Sequence, residues 1–190
     1  MKNYKSELSD EMFDKIQKTE VSIRGRYMRV SARAEALLVK NLILLHEEKC
    51  VKYRLPTSLN LKGLMFDQKI SKLKSYLKEE HSDLYKKYEK LFDNLLAFKK
   101  VRNNMAHSYF EWDDKDITYV YIWELQLDEE PHFFKKVKYT FKEINKTFKD
   151  LVGPIIDNLN NVTYDLEVLL KPTLPYMFQE EDEIPLPPET

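Results

Sequence analysis

Seven residues between Ile23 and Leu44 limit this chain's options more than any other feature. Ile23, Tyr27, Val30, Ala34, Leu37, Asn41 and Leu44 follow one another at steps of four and three. Only a helix brings residues at that period onto one face. The spacing predicts one long helix, or two in series, over residues 9–48. Gly25 falls inside it, where a glycine weakens a helix or lets another backbone approach. Pro56 and residues 55–60 read as a connector. Residues 61–80 form a second helix with Leu64, Ile70, Leu73 and Leu77 inward. Ser82 or Asp83 is placed to cap a third, in which Leu84, Tyr88, Leu91, Leu95 and Phe98 repeat the four-three steps. Apolar stripes on successive helices must cover one another, so the expected fold is mainly α, an up-and-down helical bundle.

The pattern changes after residue 110. Residues 117–127 are dense in β-branched and aromatic side chains, Asp128-Glu129-Glu130-Pro131 is a turn, and residues 133–139 read as a return strand. The expectation is an inserted β-hairpin at about 117–139. Thr140-Phe141-Lys142-Glu143 has the T-x-x-E form of a capping box and opens a fourth helix. Gly153-Pro154 should kink or split that helix. Beyond Lys171 the sequence holds five prolines and five acids with no basic residue. The expected organisation is a helical domain over 1–171 and a disordered, Pro-rich acidic tail over 172–190.

Cys50 is the sole cysteine, so no internal disulfide forms and a reducing compartment is expected. The first residues contain no apolar signal-peptide core, and no apolar run is long enough to span a membrane. These features predict a cytoplasmic protein that does not engage membranes. The net charge of −1 conceals two halves: residues 1–110 carry +9 and residues 111–190 carry −10. A basic first part suits an anionic partner, or is simply a lysine-rich solvated helical surface.

The basic part ends in Arg102-Asn103-Asn104-Met105-Ala106-His107. A guanidinium stays charged and its fork matches phosphate oxygens. An imidazole takes or gives a proton near neutral pH. The pair has the chemistry to cleave a phosphodiester without a metal or cofactor. Continuing the third helix's stripe from Phe98 leads to Arg102 and Met105, so Arg102 falls in line with the apolar seam. It needs an anion, carbonyls, or an escape at the helix end; the structural alternative is a snorkelling or salt-bridged arginine. His107 lies about 140° around and about 7.5 Å along a straight helix from Arg102. Asn103 shares His107's face, where it can orient the imidazole or contact substrate. For the arginine and histidine to meet one phosphate, the helix end must bend, the arginine must reach, or a second copy must supply the missing group across a two-fold axis.

These residues, ending a long helix after two earlier helices and before another, resemble the HEPN superfamily, whose motif is R-polar-x(3 to 5)-H. The resemblance is tight over six residues and loose over the helical layout of 1–171. It implies a HEPN-like bundle that dimerises with the two motifs facing each other, as in metal-independent endoribonucleases of toxin–antitoxin, phage-defence (antiviral) and RNA-processing systems. It implies catalytic roles for Arg102, Asn103 and His107, and an antitoxin or other regulatory partner. The hairpin departs from the minimal bundle.

In the expected mechanism His107 moves the proton of a ribose 2′-OH or of the leaving 5′-oxygen, and Arg102 holds the phosphate. Arg26, Arg29 and Arg33, spaced by three and four, form a basic row able to bind RNA backbone, or an exposed row that pairs with acids such as Glu35. Tyr85, Tyr109, Trp112 and Tyr119 are candidates to stack bases, though such aromatics also serve as core. No cofactor and no metal are expected: the four histidines are scattered, His46-Glu47-Glu48 with Cys50 lacks zinc spacing, and three glycines make no phosphate loop. The alternative to the nuclease is a non-catalytic dimeric helical module that binds RNA, a nucleotide or a protein partner.

Overall fold

The computed structural model describes residues 10–55, 61, 63–112, 116, 118–126 and 133–178. One helix, α1 (Asp10–Tyr53), runs unbroken through the first stripe, about 66 Å at 1.5 Å per residue. Asp10 and Glu11 open it and Lys52 lies in its last turn, matching the helix dipole at both ends. Around it pack α2 (Phe66–Glu80), α4 (Glu89–His107) and α6 (Gly153–Leu170). The core between them includes Tyr27, Leu38, Leu42, Leu73, Leu77, Phe92, Phe98, Leu159 and Leu166. The stripe residue Asn41 is fully enclosed there, and neither of its amide atoms has a partner among the described residues, a cost of about 1–3 kcal/mol per unmet group. Gly25 is exposed, with open space where a Cβ would sit, so it admits no close neighbour.

The second helix begins five residues later than its apolar pattern suggests. Gly63 has a positive φ of 88°, which turns the chain before the helix can start. The Gln68 side chain then accepts from the Met65 N–H at 2.7 Å, meeting one of the free donors of the first turn. The third helix is two: α3 (Ser82–Lys87) and α4, stepped at Tyr88. His81, rather than Ser82 or Asp83, occupies the N-cap position and makes no side-chain cap there. Its Nε2 instead lies 2.6 Å from Glu48 Oε2 on α1. Tyr88 stays buried through the step, its hydroxyl donating to Asp165 at 2.7 Å.

The two expected strands pair antiparallel as β2 (Tyr119–Gln126) and β3 (Phe133–Thr140), and a further strand, β1 (Tyr109–Trp112), extends them into a three-stranded antiparallel sheet in the order β1-β2-β3. The additional strand leaves α4 with only Ser108 between them. Its Phe110 and the facing Val120 and Ile122 close the sheet over the helical core. The connecting turn expected at 128–131 lies outside the described residues. The capping box forms as read: Glu143 N–H donates to Thr140 Oγ1 at 3.2 Å, and Thr140 N–H to Glu143 Oε2 at 2.7 Å. It opens α5 (Phe141–Thr147).

Gly153-Pro154 does split the following helix. A π turn over Phe148–Val152 precedes α6, with Pro154 in its first turn. The wider turn accommodates a residue that has no N–H and whose ring crowds the preceding carbonyls. The body extends past Lys171. Leu174 is fully buried, a short 3₁₀ turn covers Pro175–Phe178, and Met177 and Phe178 pack on the core. The first residues of the expected tail are therefore part of the domain, while 179–190 lie outside the described residues. Among the described residues no helix is long and apolar enough to cross a membrane.

Candidate functional site

Arg102, Asn103 and His107 all sit on the last turns of α4, and His107 is its final residue. A helix end leaves four carbonyls without intrahelical partners. Neither glycine nor asparagine follows His107 to provide the usual left-handed cap; Ser108 is extended, with φ −74° and ψ 148°. The donors come from α1. Arg24 Nη1 donates to Met105 O at 2.6 Å and to Ala106 O at 3.2 Å, and Nη2 donates to Ser108 O at 2.7 Å. Glu20 holds the same guanidinium through Nε at 2.9 Å, and its plane lies 4.3 Å from the Phe110 ring centre. One side chain thus fixes the end of α4, the start of β1 and the backbone on both sides of His107. Sequence reading passed over Arg24 in favour of the row beside it. The available signal was the uncapped end itself; the partner, more than eighty positions away, was not visible.

Asn103 makes no hydrogen bond to His107. Its Oδ1 accepts from Arg102 Nη1 at 3.1 Å. This bond bears directly on the 140° separation. Asn103 lies on His107's side of the helix, so it draws the half-buried guanidinium toward that side. Arg102 Nε is enclosed and has no acceptor among the described residues. His107 is exposed and makes no hydrogen bond or ion pair among the described residues.

Met105 is 6% exposed and belongs to the core. The seam running through Arg102 and Met105 therefore faces the chain's own interior and is not available to a second copy. On the side of α4 away from Met105 lie Leu96, Lys100, Asn103 and His107, at steps of four, three and four, with Leu96 47% exposed.

The basic row separates into parts. Arg26 docks on α5 and the π turn: Nη1 donates to Asn145 Oδ1 at 2.9 Å, and the guanidinium lies 4.3 Å from the Phe148 ring centre. It lines a groove of about 600 Å³ with Lys15, Lys18 and Phe141. Arg29 and Arg33 are exposed and unpaired among the described residues. Glu35, their expected local acid, pairs with Lys69 instead.

The aromatic candidates also divide. Tyr85 stacks on Phe92 at 5.9 Å, and Trp112 packs against Phe141 at 5.6 Å with its N–H enclosed and unpartnered. Tyr109 and Tyr119 lie on the other, outward face of the sheet. Among the described residues no three His, Cys, Asp or Glu side chains gather as a metal-ligand group. No protein-family profile, no curated protein and no solved structure matches the chain.

Proposed function

We propose that the chain is a metal-independent endoribonuclease of the HEPN type, acting in the cytoplasm as a toxin or phage-defence effector. The observation that carries this reading is the Arg102–Asn103 bond beside an unpartnered, exposed His107 on one helix end. The Arg102 guanidinium is half-buried, with Nη1 on Asn103. A phosphate oxygen reaching its terminal nitrogens would take the charge-assisted bonds a guanidinium makes best. His107, without a hydrogen-bond or ion-pair partner among the described residues, takes the proton of the ribose 2′-OH or returns one to the departing 5′-oxygen. The 2′-oxygen attacks the adjacent phosphorus, the P–O5′ bond breaks, and the products carry a 2′,3′-cyclic phosphate and a 5′-hydroxyl. Arg102 stabilises the charge that builds on the phosphoryl oxygens. DNA has no 2′-OH and resists. Asn103 is a positioning residue for Arg102.

The site is a helix end on the surface, outside the groove lined by Arg26 and the one lined by His81 and Asp165. A second copy apposed along the Leu96–Lys100–Asn103–His107 stripe would cover Leu96 and turn two open ends into one cleft holding both arginines and both histidines. An antitoxin or other regulatory partner would occupy the same cleft.

The test is cleavage of mixed RNA in excess EDTA with product ends mapped. His107→Ala and Arg102→Ala should each lower the rate by about 100- to 10,000-fold with the fold kept. Asn103→Ala should lower it less. Light scattering should give a dimer that Leu96→Glu dissociates. Intact RNA with the wild-type protein, freed of cellular partners, would refute the nuclease and leave the binding module. That second reading draws on the same half-buried Arg102, which anchors an anion equally well without chemistry.

A further inference from the structure

The outward face of the sheet is built from aromatic rings and lysines. Strand alternation and register place Tyr109, Tyr121, Trp123, Lys136 and Lys138 on one side, along with Tyr119 and Phe134. The opposite side carries Phe110, Val120 and Ile122, which are buried. None of the outward residues belongs to the core. Tyr109 is 67% exposed and Phe134 56% exposed. A monomeric surface rarely gathers this much ring area without a use for it.

The lysines lie over the rings. Lys138 Nζ is 3.5 Å from the Tyr119 ring centre, and Lys136 Nζ is 4.3 Å from that of Tyr121 and 5.4 Å from that of Trp123. Glu111 holds Lys136 at 2.6 Å and accepts from Trp123 Nε1 at 2.7 Å, fixing the indole's orientation. Lys138 has no acidic partner among the described residues. Flat rings that take a base on their faces, beside cations able to move from ring to phosphate, are the two components of single-strand recognition. A duplex presents no free base faces and would gain only the phosphate contacts.

We infer that the outward face of β1–β3 is a platform for single-stranded RNA, on which unpaired bases stack on Tyr109, Trp123 and Phe134 while Lys138 pairs with the backbone. Tyr109 is two residues from His107, within about 7 Å along the chain. A strand lying on the platform therefore leads to the end of α4. This deepens the nuclease reading and rests on it for the identity of the substrate, but the binding is testable without cleavage.

The experiment uses the full chain with His107→Ala and a labelled unstructured 12-nucleotide RNA, followed by fluorescence anisotropy. A Trp112→Phe background leaves Trp123 as the reporter. Single-stranded RNA should bind saturably and quench Trp123, and the matching duplex should bind more weakly. Tyr109→Ala and Phe134→Ala should each weaken binding by about 5- to 150-fold. Lys138→Gln should lower the salt dependence by about one unit of slope. Tyr164→Ala, an equally exposed ring on α6, should change nothing. Binding indifferent to the sheet rings, equal affinity for duplex, or no RNA binding would each overturn the platform. If wild-type protein still cuts RNA in that event, the nuclease stands alone; if the platform binds and nothing is cut, the platform stands alone. Ring variants that only dissociate a dimer would assign the face to a second copy and refute the proposal.

Discussion

Arg24→Ala should loosen the end of α4 without removing any group that touches RNA. The guanidinium makes three bonds to backbone carbonyls of residues 105, 106 and 108 and covers the Phe110 ring. Hydrogen bonds from a charged group contribute about 1.5–3 kcal/mol each where water is excluded. The Arg24 side chain keeps 26% of its exposure, so water can reach part of the vacated space. That discounts the three bonds to about 2 kcal/mol together, and the lost ring contact adds about 0.5–1 kcal/mol. A total near 3 kcal/mol in a chain of this size lowers Tm by about 6–12 °C.

Arg24→Lys separates charge from geometry. An ammonium keeps the favourable interaction with the helix dipole but cannot fork across three carbonyls, so it should recover less than half of the loss. Calorimetry gives the Tm, and hydrogen exchange gives the location. Amides from Asn104 to Phe110 should lose protection while the midpoint of α1 keeps it. RNA cleavage should fall with the loss of protection, because His107 would no longer be held at a fixed helix end. An Arg24→Ala protein that melts with the wild type and exchanges normally over 104–110 would refute the capping role and the derived dependence of the site upon it.

Leu174→Ala removes a fully buried side chain at the end of the body. It should cost about 2–3 kcal/mol by urea denaturation, the lower part of the range for such truncations because the site is near a chain end. A chain ending at Lys171 should be at least as destabilised, and an unchanged midpoint would remove Leu174 from the core. The Glu111 carboxyl is held below the usual glutamate range by the hydrogen bond from Lys136, opposed by burial and helped by the Trp123 N–H. A depressed carboxylate stabilises the fold above its unfolded pKa, and that contribution disappears as pH falls through the folded value. Acid titration of Trp123 fluorescence on the Trp112→Phe background should therefore show a transition below the ordinary glutamate pKa. Glu111→Gln should abolish it, and a transition that survives the substitution would assign the proton elsewhere.

The helices were legible because burial imposes a period, and that period is written in residue type from Ile23 to Leu44 and from Leu84 to Phe98. The step at Tyr88 was not legible for the same reason. The apolar spacing continues across the break, and Tyr88 remains buried on both sides of it. Strand β1 was hidden by its four-residue length and by its start one residue after a helix. Its evidence is cross-strand: Phe110 faces Ile122 and Trp112 faces Val120, contacts no local window contains. Leu174 was hidden by its neighbours, since prolines on either side resemble tail composition, while a single apolar residue between them is enough to anchor a turn.

The site divides along the same line. That Arg102, Asn103 and His107 share one helix end follows from sequence, and so does the angle that keeps arginine and histidine apart. What bridges the angle does not. Asn103 turns toward Arg102 because a half-buried guanidinium needs an acceptor for Nη1, and an amide oxygen one residue away is within reach. The imidazole, exposed, has no such need. The row of Arg26, Arg29 and Arg33 fails as a single surface for the complementary reason. Its members share a helix face, but α5 comes to meet only Arg26, supplying Asn145 and Phe148 through the adjoining π turn. Local spacing thus assigns residues to faces, and long-range packing decides which remain available. By that measure Arg24 and Arg26 are committed to structure, Arg29 and Arg33 remain open to an anion, and His107 is left free at an end fixed from outside its own helix.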